Sequence, residues 1–303
     1  MRGKRFRLLT GVTAALALAL TACGGGGGGQ DQLSGGGDAP EVKVEENAQF
    51  EPGTTMEKLQ KADKIRVGTK FDQPLFGLKG GDGKPHGFDP EIAKIIAAKM
   101  GIAPDKIEWV EAPSKTREEI IASDRVDMVV ATYTINDERK ERISFAGPYY
   151  QAGQDLMVKS ENKDITGPES LRQTGAKVCS VTGSTPAEEI KKYVDPANLV
   201  LFDVYSKCAD ALRTGQVQAV TTDNVILMGL VSESGGKFKL VDKPFTEEPY
   251  GIGIKKGDVK FCEFINQSLQ QASQDGSYAK AWEATAGEVA KQTPQLPQPD
   301  PCS

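Results

Sequence analysis

The chain has 303 residues, 42 of them acidic and 37 basic, for a formal charge of −5. That balance excludes an electrostatic footprint for nucleic acid and a polybasic grip on anionic lipid. The length leaves room for two domains of ordinary size. Arg2, Lys4, Arg5 and Arg7 lead into thirteen mostly apolar residues, Leu8 to Leu20. Such a stretch is shorter than the roughly twenty apolar residues a membrane-spanning helix needs, and its flanks read as a secretory signal. Removing residues 1–22 takes away four positive charges and no negative ones, so −5 becomes −9.

The run Leu20-Thr21-Ala22-Cys23 resembles the lipobox of bacterial lipoproteins. The resemblance implies that Cys23 is diacylated, becomes the new N-terminus and is the only attachment to the membrane surface. A plain signal peptide cut near a cysteine is the alternative. Residues 24–37 hold nine glycines and lack any apolar period, which fits a flexible tether for an anchored domain. The protein is therefore expected outside the cytoplasm, where disulfides persist. Beyond Cys23 the chain has Cys179, Cys208, Cys262 and Cys302, an even number with three possible connectivities. Pairing Cys179 with Cys208 and Cys262 with Cys302 keeps each bridge within one contiguous part and is favoured. No two of these cysteines have zinc-ligand spacing, and the single histidine, His86, is remote from them. No metal is expected.

Residues 38–60 are polar and ambiguous, with a short helix over Met56–Ala62. Ordered structure is expected from Ile65 to Trp282. Ile65–Gly68 reads as a strand. Asp89 is then expected as an N-cap, with Pro90 at the first helical position and Glu91 favouring the dipole. Ile92, Ile95, Ile96 and Met100 line one face of that helix, and Gly101 ends it. A strand over Ile107–Val110, a helix over Ser114–Ala122 and a strand over Met128–Ala131 follow. The rhythm recurs with strand Lys177–Cys179, helix Pro186–Tyr193, strand Leu199–Phe202, helix Ser206–Arg213 and strand Gln218–Thr221. Two βαβ series separated by the extended piece Tyr149–Lys159 argue for two α/β domains. The proline-rich tail, Pro294 to Pro301, is expected to run extended, with Cys302 pinning it to the body.

In open α/β sheets ligands sit beyond the carboxyl ends of strands. Thr69-Lys70 follow the first strand. Thr132-Tyr133-Thr134 follow the third and lead through Asn136 to Arg139. In the second half, Thr182-Gly183-Ser184-Thr185 and Thr221-Thr222-Asp223 occupy such ends. Taken singly, each is most simply a surface charge or a helix cap. Together, hydroxyls, cations and one carboxylate match a zwitterion with an extra negative charge, since a closed cleft requires its buried ions to be paired.

These residues resemble the solute-binding proteins of ABC importers for polar amino acids, over roughly Ile65 to Trp282. The resemblance rests on Gly87-Phe88-Asp89-Pro90-Glu91-Ile92, with Pro90 where an aliphatic residue is usual. It rests further on Thr132-Tyr133-Thr134-Ile135-Asn136-Asp137-Glu138-Arg139, then Phe145 and Gly147-Pro148-Tyr149-Tyr150. It implies a two-lobed periplasmic-binding-protein-like (type II) α/β fold, two domains joined by two crossing strands. Residues 1–22 would be the signal peptide, 23–60 the anchor and tether, 61–150 plus 251–303 lobe 1, and 151–250 lobe 2. Thr134, Arg139 and the backbone of Thr132 would hold the ligand's α-carboxylate, Arg139 as a bidentate fork. Asp223 would take the α-ammonium, and the Thr182-Gly183 loop would contribute hydroxyl and backbone contacts.

Glutamine-binding relatives carry an acidic residue at the position of Lys70. Glutamate- and aspartate-binding relatives carry a cation there and an arginine ten residues before the strand's aspartate, which is Arg117 before Asp127. Tyr205 falls where those relatives place a further polar group. Two cations facing a neutral amide would be uncompensated, so glutamate or aspartate is the expected cargo. Gly68-Thr69-Lys70 and the pair Cys179/Cys208 are also similar to glutamate-binding lipoproteins of Gram-positive importers. Where the family often stacks an aromatic on the ligand this chain has Ser114, leaving Phe71 as the candidate cover. The resemblance further implies a monomer, ABC permease subunits as partners, no cofactor and no catalytic residues. Three alternatives stand beside it: a glutamine- or asparagine-binding protein, an amino-acid sensor, or an enzyme on the same fold. For the last, Glu111 and Glu118 are the candidate acids, both explained more simply as surface helix positions.

Overall fold

The computed structural model describes residues 42–303. The secretory segment, the lipobox with Cys23 and the glycine tether lie outside the described residues. Among those described, no helix is long and apolar enough to cross a membrane.

Helix α1 (Thr55–Ala62), capped by the Thr54 hydroxyl, leads into β1 (Ile65–Thr69). A small three-stranded antiparallel unit follows: β2 (Asp72–Gln73), β3 (Gly77–Lys79) and β4 (Pro85–His86). Then come α2 (Phe88–Lys99), β5 (Ile107–Glu111), α3 (Arg117–Ala122), β6 (Met128–Val129), α4 (Asp137–Arg142) and β7 (Ser144–Ala152). The chain crosses into β8 (Gln154–Lys159), α5 (Glu169–Thr174), β9 (Val178–Val181), α6 (Thr185–Glu189) and β10 (Leu199–Phe202). After α7 (Tyr205–Thr214), β11 (Ala219–Asp223), α8 (Asn224–Ser232) and β12 (Phe238–Leu240), it returns through β13 (Glu248–Ile254). Helices α9 (Val259–Asp275) and α10 (Ser277–Glu283) complete the order.

The protein is a two-lobed α/β molecule with one mixed five-stranded sheet per lobe. In lobe 1 the order is β5-β1-β6-β13-β7, in lobe 2 β10-β9-β11-β8-β12. Each sheet has three parallel strands followed by antiparallel ones: β1 runs parallel to β5 and β6, while β13 runs against β6 and β7. In lobe 2, β9 is parallel to β10 and β11, while β8 opposes β11 and β12. Strands buried on both faces read as near-continuous apolar runs, as in β9 and the centre of β8. The two crossings lie side by side, with Glu248 opposite Ala152 and Tyr250 opposite Tyr150. Beneath them an aromatic cluster packs Trp282 against Tyr150 (ring centroids 5.2 Å, stacked) and Phe88 (5.1 Å, edge-on), with Phe76 touching both Tyr250 and Trp282.

Sequence expectation and structure differ at three places. Helix α2 starts at Phe88 with Gly87 at the N-cap position, so Asp89 is not the cap. Its carboxylate is fully buried and turned inward, accepting from the Thr132 N–H at 2.7 Å and the Tyr149 hydroxyl at 2.5 Å. Tertiary partners outbid a local cap. Order also extends beyond Ile65–Trp282. Phe50 packs edge-on against Phe264, and the Glu45 N–H donates to the Ala98 carbonyl. At the other end Leu296 packs on the core, and the Asp300 N–H donates to the Gly147 carbonyl at 2.7 Å. Third, Glu118 is not a surface position: it is buried and pairs with Arg139. Both disulfides, Cys179–Cys208 and Cys262–Cys302, are formed, the second fastening the extended tail to α9.

Candidate functional site

The carboxyl ends of the parallel strands of the two sheets face each other across a closed cleft. Lys70 directly follows β1. Its side chain is 4% exposed, and its Nζ donates to Ser114 Oγ at 2.8 Å. Arg117 opens α3 and is equally buried. It donates to the carbonyls of Ala131 (2.9 Å) and Thr132 (3.3 Å), and its guanidinium lies 4.0 Å from the Tyr133 ring centroid. Arg139 sits in α4, whose N-cap Asn136 accepts from the Arg139 N–H. Its guanidinium donates to the Thr134 carbonyl at 2.5 Å and lies 3.3 Å from Glu118 Oε1 and 5.0 Å from the same Tyr133 ring. One aromatic ring thus carries two cations, a placement its negative face favours.

Thr132 has φ +45°, a left-handed conformation that a β-branched residue adopts at a cost of about 1–3 kcal/mol. The Asp89 carboxylate on its N–H and its own hydroxyl on the Ala131 carbonyl hold it there. The Thr132 N–H is therefore engaged by Asp89. Its carbonyl remains at the cleft, beside Arg117.

Lobe 2 supplies the opposite wall. The Thr182 N–H donates to the Phe202 carbonyl, and the Gly183 carbonyl accepts from Arg139 at 3.2 Å across the cleft. Gly183 has φ +80°, and a Cβ there would stand 2.7 Å from Lys115 Cα, so glycine is required twice over. Thr185 donates to Glu248 Oε2 at 2.7 Å, an oxygen that also accepts from Thr134, so this crossing-strand carboxylate ties the lobes together. Asp223, at the end of β11, accepts from the Tyr250 hydroxyl at 2.6 Å through one oxygen. Its other oxygen has no partner. Nor do the buried Tyr205 hydroxyl, Thr222 Oγ1, Thr69 Oγ1, Gln73 Nε2 and Arg117 Nε. Phe71, the candidate cover, is half-buried with Lys79 Nζ 5.1 Å from its ring.

The structure thus brings Lys70, Arg117, Thr132, Thr134 and Arg139 together on one wall, and Thr182, Gly183, Tyr205 and Asp223 on the other. Burial, and then Arg117, push Lys70 down to about 7; burial and Arg117 likewise push Arg139 down to about 10. Burial, and then Glu248, push Asp223 up to about 8. Among the described residues, neither Lys70 nor Arg117 has a carboxylate oxygen within 4.0 Å. Sequence reasoning missed Gln73, Asp89 and Glu248, because nothing in local spacing marks a polar residue that tertiary contacts bury. Among the described residues no cluster of His, Cys, Asp and Glu is placed to hold a metal ion.

Residues 65–285 match the model of the bacterial extracellular solute-binding proteins, family 3. The chain is similar to the glutamate-binding protein GluB of Corynebacterium glutamicum, 37% identical over 295 residues, covering 94% of this chain and 91% of that protein. It is also similar to the ABC transporter glutamine-binding protein GlnH of Bacillus subtilis, 41% identical over 225 residues, 74% of this chain and 81% of the relative. Among solved structures, an ancestral arginine-binding protein bound to glutamine superposes with a TM-score of 0.68 at 36% identity. That match covers 73% of this chain and 96% of the other.

Proposed function

This chain belongs to the bacterial extracellular solute-binding proteins, family 3, and from that premise we propose that it captures glutamate or aspartate by closing its cleft and delivers it to an ABC permease. The family is one of non-catalytic solute-binding transport proteins. In the proposed complex Arg139 and Thr134 hold the ligand's α-carboxylate, while Asp223 and the Thr132 carbonyl receive its ammonium. Lys70 and Arg117 hold the side-chain carboxylate, with Tyr205 nearby and the Thr182-Gly183 loop closing from lobe 2. Lobe 1 comprises residues 61–150 and 251–303, and lobe 2 residues 151–250. The protein acts as a monomer outside the cytoplasm, held to the membrane through a lipid on Cys23.

The observation that carries the acidic cargo is the pair of buried cations, Lys70 and Arg117, with no carboxylate of the described residues within 4.0 Å. Buried charge is costly unless paired, and a ligand carboxylate supplies the missing partner. The burial of Lys70 favours glutamine instead: it pushes the pKa down to about 7, and a neutral amine would tolerate an amide.

Calorimetry with glutamate, aspartate and glutamine decides between them. Both acids should bind more tightly than glutamine. Lys70→Met should cost the acids about 3–5 kcal/mol, the usual loss when one partner of a buried pair is removed, and Lys70→Asp should turn the preference toward glutamine. Tighter binding of glutamine by the unaltered protein would defeat the acidic assignment while leaving the amino-acid-binding role in place.

A further inference from the structure

The segment after Lys70 contains a contact that the ligand does not require. Asp72 belongs to β2 in lobe 1, yet its Oδ2 accepts from the N–H groups of Tyr205 (2.8 Å) and Ser206 (3.3 Å) in lobe 2. These are the first two residues of α7, whose N-cap position is occupied by Val204 with no side-chain cap. The first N–H groups of a helix have no intrahelical partners, and Ser, Thr, Asp or Asn at the N-cap normally accepts from them. Valine cannot. The helix takes its cap from across the cleft.

The same turn seats on a second helix. A Cβ on Gly229 of α8 would stand 2.4 Å from the Pro74 carbonyl oxygen, so backbone meets backbone there. Residues 72–74 of lobe 1 thus dock on α7 and α8 of lobe 2, and separating the lobes breaks both contacts together. Tyr205, the first residue of α7, is buried near Asp223 with its hydroxyl unpartnered.

We propose that Asp72 is a closure latch and a positioning residue: it completes α7 only when the lobes meet, prolongs the closed state, and holds Tyr205 without touching the ligand. This rests on the amino-acid-binding reading above. Ligands shift a two-state equilibrium only by their differential contacts. The latch adds a term common to every ligand, so it governs affinity and release without setting specificity.

The test compares the wild type with Asp72→Ala, Asp72→Asn and Val204→Ser. Glutamate and glutamine are titrated separately, and hydrogen exchange is followed at the Tyr205 and Ser206 amides with and without ligand. Loss of a cap predicts that Asp72→Ala weakens both ligands by the same factor, roughly two- to thirty-fold, chiefly through faster release. Asn caps nearly as well as Asp, so Asp72→Asn should retain most of the affinity. Val204→Ser gives the open state its own cap. The ligand-free protein should then resist urea better while both ligands bind more weakly, and adding Asp72→Ala should cost little more. Equal binding by Asp72→Ala and wild type overturns the latch. So does an effect on glutamate alone, which would mark a charge effect in the pocket, or an Asp72→Asn as impaired as the alanine variant. If the wild type binds neither amino acid, the functional reading falls, and exchange in proteins locked shut by a Thr134→Cys/Thr185→Cys disulfide, across a contact of 3.3 Å between the lobes, decides the latch. Faster exchange in locked Asp72→Ala than in locked Asp72→Asn supports it, and equal exchange rejects it.

Discussion

Under the proposed function Lys70 is the residue on which cargo choice would turn, and its titration would make that choice pH-dependent. Burial pushes the Lys70 pKa down to about 7, and an amide ligand brings no charge that would raise it. A ligand carboxylate would favour the charged form and raise that pKa. The glutamate complex then holds a proton that the glutamine complex has lost above about pH 7. By linkage, the preference for glutamate is complete below about 7 and declines as pH rises beyond it, by at most about tenfold per pH unit. Titrations of both ligands from pH 6 to 9 measure this ratio; a constant ratio would remove Lys70 from the recognition of the side-chain carboxylate. Lys70, Arg139 and Asp223 were singled out in the sequence by their places after strands and by the family resemblance rather than by charge alone, and the structure buries all three. Asp89 was misread because its spacing before Pro90 fits a cap equally well, and only the fold brings Thr132 and Tyr149 to its carboxylate.

Among the elements, those with a sustained apolar period were readable. Helices α2 and α7 appear within two residues of their expected ends, since their buried faces recur at helical spacing. The two-residue strands β2 and β4 carry no period at all, and β2 bears the interlobe contact of Asp72. The C-terminal tail has no helix or strand; Leu296, two hydrogen bonds to the β7 region and one disulfide hold it. A bridge with 40 residues of sequence separation stabilises by about 4 kcal/mol in the chain-entropy model. Cys302→Ser should therefore lower the midpoint of urea unfolding and expose the tail to proteolysis after about residue 290, with ligand affinity unchanged because the cleft is elsewhere. Altered affinity would mean that the tail supports lobe 1's half of the site.

For the molecule as a whole, closure depends on places where side chains are missing. Gly229→Ala puts a methyl 2.4 Å from a backbone oxygen that cannot yield as a flexible side chain would. Each lobe should still fold, since the clash lies between them. The ligand-bound variant should have a larger radius of gyration by X-ray scattering than the bound wild type, and at least tenfold weaker binding, corresponding to about 1.4 kcal/mol. Identical scattering curves would show that α8 shifts to absorb the methyl. Such complementarity between lobes was not legible in the sequence, where Gly229 is one small residue in an apolar helix.

The two crossings between the lobes are hydrogen-bonded to each other along Tyr150–Ala152 and Glu248–Tyr250, so they behave as one ribbon rather than two independent strings. A zipped ribbon bends far more readily than it shears or twists apart. Opening would therefore reduce to a single coordinate, with the packed rings of Tyr150, Tyr250 and Trp282 as its fulcrum. Under the proposed function the presence of a small molecule deep inside would thereby be converted into an angle at the outer rim, where a much larger neighbour could sense it.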